Sequence, residues 1–263
     1  MSYKSFTKTL AYILTNPYPM IKFFRHIRYN LMEQNKTGKY LKYAIGEIVL
    51  VMIGILLALQ VNNWNEQRIL KSEERNMLIS LRSELKENII KFDSIYAIHN
   101  VRDSVLRRLI DLDPEQENFD SQDSLIHKAD WSWTFNPSRG IYNSIINSGK
   151  IELIRDNNLK IKVAKLNDVI QDYLEDEITA MQYTAKNVEP FFTNSFSFYI
   201  RPRTKEERSK DSINYLKVIP SRAFQNQMIY IRYSLEGIFD EGPKLRSELK
   251  SIIKMIDEQI ASD

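Results

Sequence analysis

One stretch of this chain, KYLKYAIGEIVLVMIGILLALQVNNWNEQR at residues 39–68, restricts the fold more than any other. Between residues 44 and 61 the strongly polar side chains are Glu47 and Gln60. About 18 residues of helix rise roughly 27 Å, close to the hydrocarbon thickness of a bilayer. Tyr40 and Tyr43 flank one end and Trp64 the other, where interfacial aromatics belong. The uninterrupted run at residues 48–59 alone would also suit a buried core helix, but length and flanks together predict a transmembrane helix over residues 43–64.

A cleaved signal peptide fits poorly, because its charged region would extend over some forty residues and no small-x-small cleavage site follows Leu59. Lys22, Arg25, Arg28, Lys36, Lys39 and Lys42 precede the run, whereas Arg68, Lys71 and Arg75 beyond it alternate with Glu66, Glu73 and Glu74. The positive-inside rule then predicts a cytoplasmic N-terminus and a periplasmic domain at residues 65–263, with the protein in a bacterial inner membrane. Residues 20–42 read as a basic amphipathic cytoplasmic segment. Ile21, Phe24, Ile27 and Leu31 share a face, and Lys22, Phe24, Arg25 and Arg28 form a candidate membrane-surface set that would contact anionic lipids. Residues 1–19, ending in NPYP, read as an N-terminal extension.

Glu47 places a carboxylate inside the run. Helical side chains tilt toward the helix N-terminus, so Glu47 could snorkel toward Lys42 and the cytoplasmic headgroups. Equally, Glu47, Gly54 and Ala58 share a helix face with Gly46 beside it, forming a candidate packing surface for a second helix.

Charge is distributed unevenly. Of the net +3, residues 1–64 carry eight Lys and Arg against Glu33 and Glu47, leaving the rest of the chain acidic. The basic balance thus belongs to the N-terminal arm and does not indicate a nucleic-acid surface. Absence of cysteine excludes disulfides, thiolate metal sites and cysteine nucleophiles.

Beyond Trp64 the sequence reads helical as far as Asp113-Pro114, with Leu78, Leu81, Leu85, Ile89, Phe92 and Tyr96 at steps of three and four. An aromatic connector follows, then a short helix closed by Gly149 and an N-cap at Asp156. The next helix is expected over residues 157–187, with Leu159, Val163, Leu166, Ile170, Tyr173 and Ile178 inward and Pro190 ending it. FFTNSFSFYI suits an extended segment or a hairpin end, and RPRTKEERSKDS reads as a charged turn. Two closing helices begin at Ser221 and Pro243. The fold class is therefore all-α, a single N-terminal transmembrane helix continuing into a long helix and then an antiparallel helical bundle.

Motifs for chemistry are weak. The seven glycines form neither a G-x-G-x-x-G nor a Walker loop. His99 and His127 are the histidines outside the N-terminal arm, and His127 with Asp130 lacks the H-x-x-x-H spacing of a metal site, so solvated surface histidine is expected. S-x-x-K occurs at Ser83/Lys86, Ser247/Lys250 and Ser251/Lys254, all in amphipathic helices, and K-T-G lies before the run, so no serine–lysine site assembles. Asp172, Glu175, Asp176 and Glu177 read as a solvated acidic face. Trp131, Trp133 and Tyr142 form a candidate recognition surface, and no cofactor, metal or catalytic residue is assigned.

MIKFFRHIR, the stretch at residues 39–68 and YNSIINSGKIELIRD together resemble a family of single-span membrane proteins of unknown function found widely in Bacteroidota. The resemblance covers most of the chain after Met20 and implies an inner-membrane anchor with an envelope-side helical domain. Members of that family often begin at the MIKFF stretch, so Met20 is an alternative start. The expected function is a non-enzymatic, membrane-anchored interaction or scaffold module, with membrane lipids and a protein partner or homo-oligomer in the inner membrane or periplasm, and no nucleic acid. The alternative is a periplasmic ligand-sensing bundle that signals through a partner.

Overall fold

A computed structural model of the protein describes residue 29, residues 37–199 and residues 201–262. The segment expected to lie on the membrane surface, with Lys22, Phe24, Arg25 and Arg28, falls outside those residues, as does the N-terminal extension. Every regular element among the described residues is helical. The chain divides into two compact units, Met1–Ile69 and Leu70–Asp263.

In the first unit, helix α1 (Thr37–Ile110) begins and carries the apolar run. Its most apolar window has a mean hydropathy of 2.4 and none of it is buried against the other described residues, unlike the core helix of a soluble domain. This is the one helix among the described residues long and apolar enough to cross a membrane. Arg68 lays its guanidinium over the Trp64 ring at 5.8 Å.

The second unit holds the rest of α1 and seven further helices: α2 (Phe119–Ala129), α3 (Gly140–Asn147), α4 (Asn157–Tyr183), α5 (Glu189–Ser195), α6 (Lys205–Val218), α7 (Arg222–Ser234) and α8 (Glu236–Ala261). On α1 the buried positions recur with a spacing near 3.5 residues, from Leu78, Leu81 and Leu85 through Phe92 to Leu106 and Leu109. That period keeps one seam of a long helix facing its neighbours. The same spacing on α4 buries Leu159, Val163, Leu166, Ile170, Tyr173, Glu177 and Ala180. Ile178, expected inside, is 42% exposed, because four residues beyond Tyr173 the seam passes through Glu177.

Helix α8 runs antiparallel to α1, tied by Arg82 to Asp257 and by Asp93 to Arg246. It is also antiparallel to α4, where Lys162 meets Glu248 and Asp176 lies against Gly237. Helices α1 and α4 themselves run in the same direction, because residues 130–156 carry the chain back along them.

Local signals explain most of the boundaries. Asp156 caps α4 by accepting from the amides of Asn158 and Leu159, and Gly149, with φ +70°, turns the chain after α3. Two prolines behave differently from expectation. Pro190 does not end the chain's helical course, since a single π turn at Thr184–Val188 places it in the first turn of α5, where no N–H is required. Pro243 lies inside α8 instead of opening it. A Cβ at Gly242 would come within 2.4 Å of the Tyr96 ring, so only glycine admits that ring. The charged segment read as a turn contains α6, opened by a reciprocal capping box between Thr204 and Glu207.

Candidate functional site

Between α2 and α4 the chain crosses the bundle without regular structure at residues 131–139. Buried polar side chains hold it, and most of them sit on the α1 seam where apolar residues would ordinarily be found. Arg102, 2% exposed, donates from Nε to the Ala129 carbonyl at 3.0 Å and from Nη2 to Thr184 Oγ1 at 2.9 Å. Burial pulls its pKa down to about 10, against the nearby Asp130 charge. Burial pushes the Asp130 carboxyl up, and Glu189 adds to that rise.

One turn earlier on α1, His99 Nε2 donates to Glu177 Oε1 at 2.9 Å. The same oxygen accepts from the Tyr173 hydroxyl at 2.8 Å, and Glu177 Oε2 accepts the Phe135 amide at 2.6 Å. Burial, reinforced by the Glu177 charge, pushes the Tyr173 phenol far above its ordinary range, so it stays a donor. Phe92, Phe135 and Tyr173 close over this cluster edge to face, with centroids 5.2–6.2 Å apart.

Asn88 grips Ser138 twice, donating to its carbonyl and accepting its amide, both at 2.8 Å. Glu84 accepts the amides of Ile141 and Tyr142 at 2.8 and 2.9 Å, capping α3 from another helix where its own N-cap residue, Arg139, supplies no side-chain bond. Glu74 accepts from the amide and Nε of Arg155, at 2.8 and 2.5 Å, and from Gln259.

These contacts define a clasp. From Arg102 back to Asn88, α1 falls about 21 Å, and the nine residues from Ala129 to Ser138 cover that distance at roughly 2.3 Å each. The connector is therefore drawn well beyond helical rise, pinned at both ends and in the middle. Trp131 and Trp133 stand on the pinned span, 38% and 55% exposed. Tyr142 does not join them. It is 7% exposed and packs in the core, so the three aromatics do not form one surface. Because α3 starts at Gly140, Tyr142 falls on the inward side of that helix beside Ile145.

The remaining candidate residues separate. Among the described residues nothing approaches within 4 Å of a Cβ built on Gly46 or Gly54, and Ala58 is exposed. His99 is not a solvated histidine but a buried one, whereas His127 is half-buried and lies 3.7 Å from Asp123. Asp123 is itself held by Arg203 and by the Tyr215 hydroxyl. Among the described residues no S-x-x-K serine bonds its lysine, and no three His, Asp or Glu are placed to hold a metal ion. The acidic face also divides. Glu177 is core, while burial and the charges of Glu241, Asp172, Asp240 and Glu175 push the Asp176 carboxyl up. Sealed at 3% and 1% exposure, His99 and Glu177 have no face open to a reactant, and their chemistry is to orient the connector.

No curated protein and no solved structure matches the chain. A family model described as a family of unknown function (DUF6090) matches residues 47–216, from Glu47 in the apolar run to Leu216 in the last turn of α6, which is more than half of the chain. The clasp residues on α1 and α4 and the connector between them all lie inside that match, and the chain belongs to this family of unknown function.

Proposed function

We propose that this protein is a non-enzymatic interaction module anchored in a bacterial inner membrane, with its N-terminus cytoplasmic and its helical domain in the periplasm, where it binds a protein partner. The observation that carries the reading is the exposure of Trp131 and Trp133 on a segment whose backbone is fixed by Arg102, Glu177 and Asn88. Large rigid aromatics dominate binding hot spots, and a segment ordered beforehand loses less entropy on association. The excess of Lys and Arg before the apolar run supports the orientation.

The test is purification of the tagged protein from native membranes in mild detergent, with the mass and composition of the complex measured for wild type and for Trp131→Ala/Trp133→Ala. The proposal expects a stoichiometric partner that the double variant loses while keeping its helicity. A lone wild-type monomer, or a partner retained by the double variant, overturns it.

A further inference from the structure

On a face separate from the connector, α1 and α8 form a shallow groove of about 550 Å³, within the size range of small-molecule sites. The antiparallel pairing of the two helices sets Lys86 and Ile89 against Lys250, Ile253 and Lys254. Its floor is aliphatic, with Ile89 and Ile253 half-buried on the core. Its rim is cationic. Asp257 is bound by Arg82 at 2.6 Å and Glu258 lies 3.6 Å from Lys254, Lys86 makes no ion pair among the described residues, and Lys250 acts on Asp93, which Arg246 already binds at 2.6 Å. Along the groove Lys86, Lys250 and Lys254 thus outnumber Asp257 and Glu258 by one.

We propose that this groove binds an anionic membrane lipid, with an acyl chain along Ile89 and Ile253 and the phosphate held by Lys86 and Lys250. An apolar strip beside surplus ammonium groups complements a molecule that joins a hydrocarbon chain to one negative charge. The chain also carries a helix long and apolar enough to cross a membrane.

The chain has no cysteine, so Ile253→Cys accepts a single environment-sensitive fluorophore. The labelled full-length protein, in neutral detergent, is titrated with dihexanoyl phosphatidylglycerol, with dihexanoyl phosphatidylcholine and with inorganic phosphate. A saturable blue shift with phosphatidylglycerol is expected, at least tenfold weaker with phosphatidylcholine and absent with phosphate. Lys86→Gln/Lys250→Gln should weaken the phosphatidylglycerol response about tenfold. Equal affinity for the two lipids, an equal response to phosphate, an unchanged response in the lysine variant, or no saturable response overturns the proposal. If Ile253→Cys loses helicity, Glu258→Cys on the exposed rim carries the label instead.

Discussion

Glu177→Gln isolates the clasp with almost no change of shape. The carboxylate accepts from Tyr173, His99 and Phe135, and glutamine keeps only one acceptor oxygen while turning an N–H₂ group toward a donor. A buried donor left unsatisfied costs about 1–3 kcal/mol, and a hydrogen bond to a charged group contributes roughly 1.5–3 kcal/mol, so a loss of about 3–5 kcal/mol is expected. For a domain of this size each kcal/mol moves Tm by roughly 2–4 °C, which predicts a fall of about 6–20 °C. Thermal unfolding of the full-length protein followed by circular dichroism measures it. Tyr173→Phe should cost less, about 1–2 kcal/mol, because one of three donors is removed, and the pair should couple in a double-mutant cycle. A Tm change below about 3 °C for Glu177→Gln would show that the carboxylate does not hold the connector.

Three further outcomes follow from the packing and charge. Gly242→Ala drives a Cβ to 2.4 Å from the Tyr96 ring and should destabilise by about 1–3 kcal/mol in chemical denaturation, with partial recovery in a Tyr96→Leu background. Burial opposes ionisation of Asp123, but Arg203 and Tyr215 overcome it and hold the carboxyl below its ordinary 3.8. Its stabilisation is therefore present above that value and lost as pH falls through the lower folded one, so an Asp123→Asn variant should show a shallower loss of stability below about pH 4 than wild type. Trp131→Ala/Trp133→Ala should shift the unfolding free energy by less than about 1 kcal/mol, because both indoles face solvent. A larger loss would make them core residues.

Sequence periodicity exposes the span, the caps at Asp156 and Ser221, and the inward stripes of α1 and α4, because those features depend on neighbours within about one helical turn. What it hides is polar. Glu177 sits among three other acids and resembles a solvated face, yet it lies four residues beyond Tyr173, where the 3.5-residue seam returns to the core. Continuing that seam, and not the hydrophobicity of Ile178, would have found it. His99 and Asn88 are hidden for the same reason: their partners are the Glu177 carboxylate and the Ser138 backbone, 78 and 50 residues away. Helix α6 was legible in the T-x-x-E of Thr204 and Glu207, a signal outweighed by the charge of the segment. Pro243 shows the opposite limit, since a proline that reads as a helix opener lies inside α8, next to a glycine packed on Tyr96 far away in sequence.

A connector fixed before any partner arrives should reveal itself in amide hydrogen exchange of the membrane-embedded, unliganded protein. The amides of Phe135, Ser138, Ile141 and Tyr142, each bonded to a buried side chain, should be protected to nearly the level of the α1 and α4 core. Those of Ser132, Trp133 and Thr134, exposed on the pinned span, should exchange freely. Rapid exchange at Phe135 and Ser138 as well would mean that the segment is an ordinary mobile loop, and that Trp131 and Trp133 are not held for recognition.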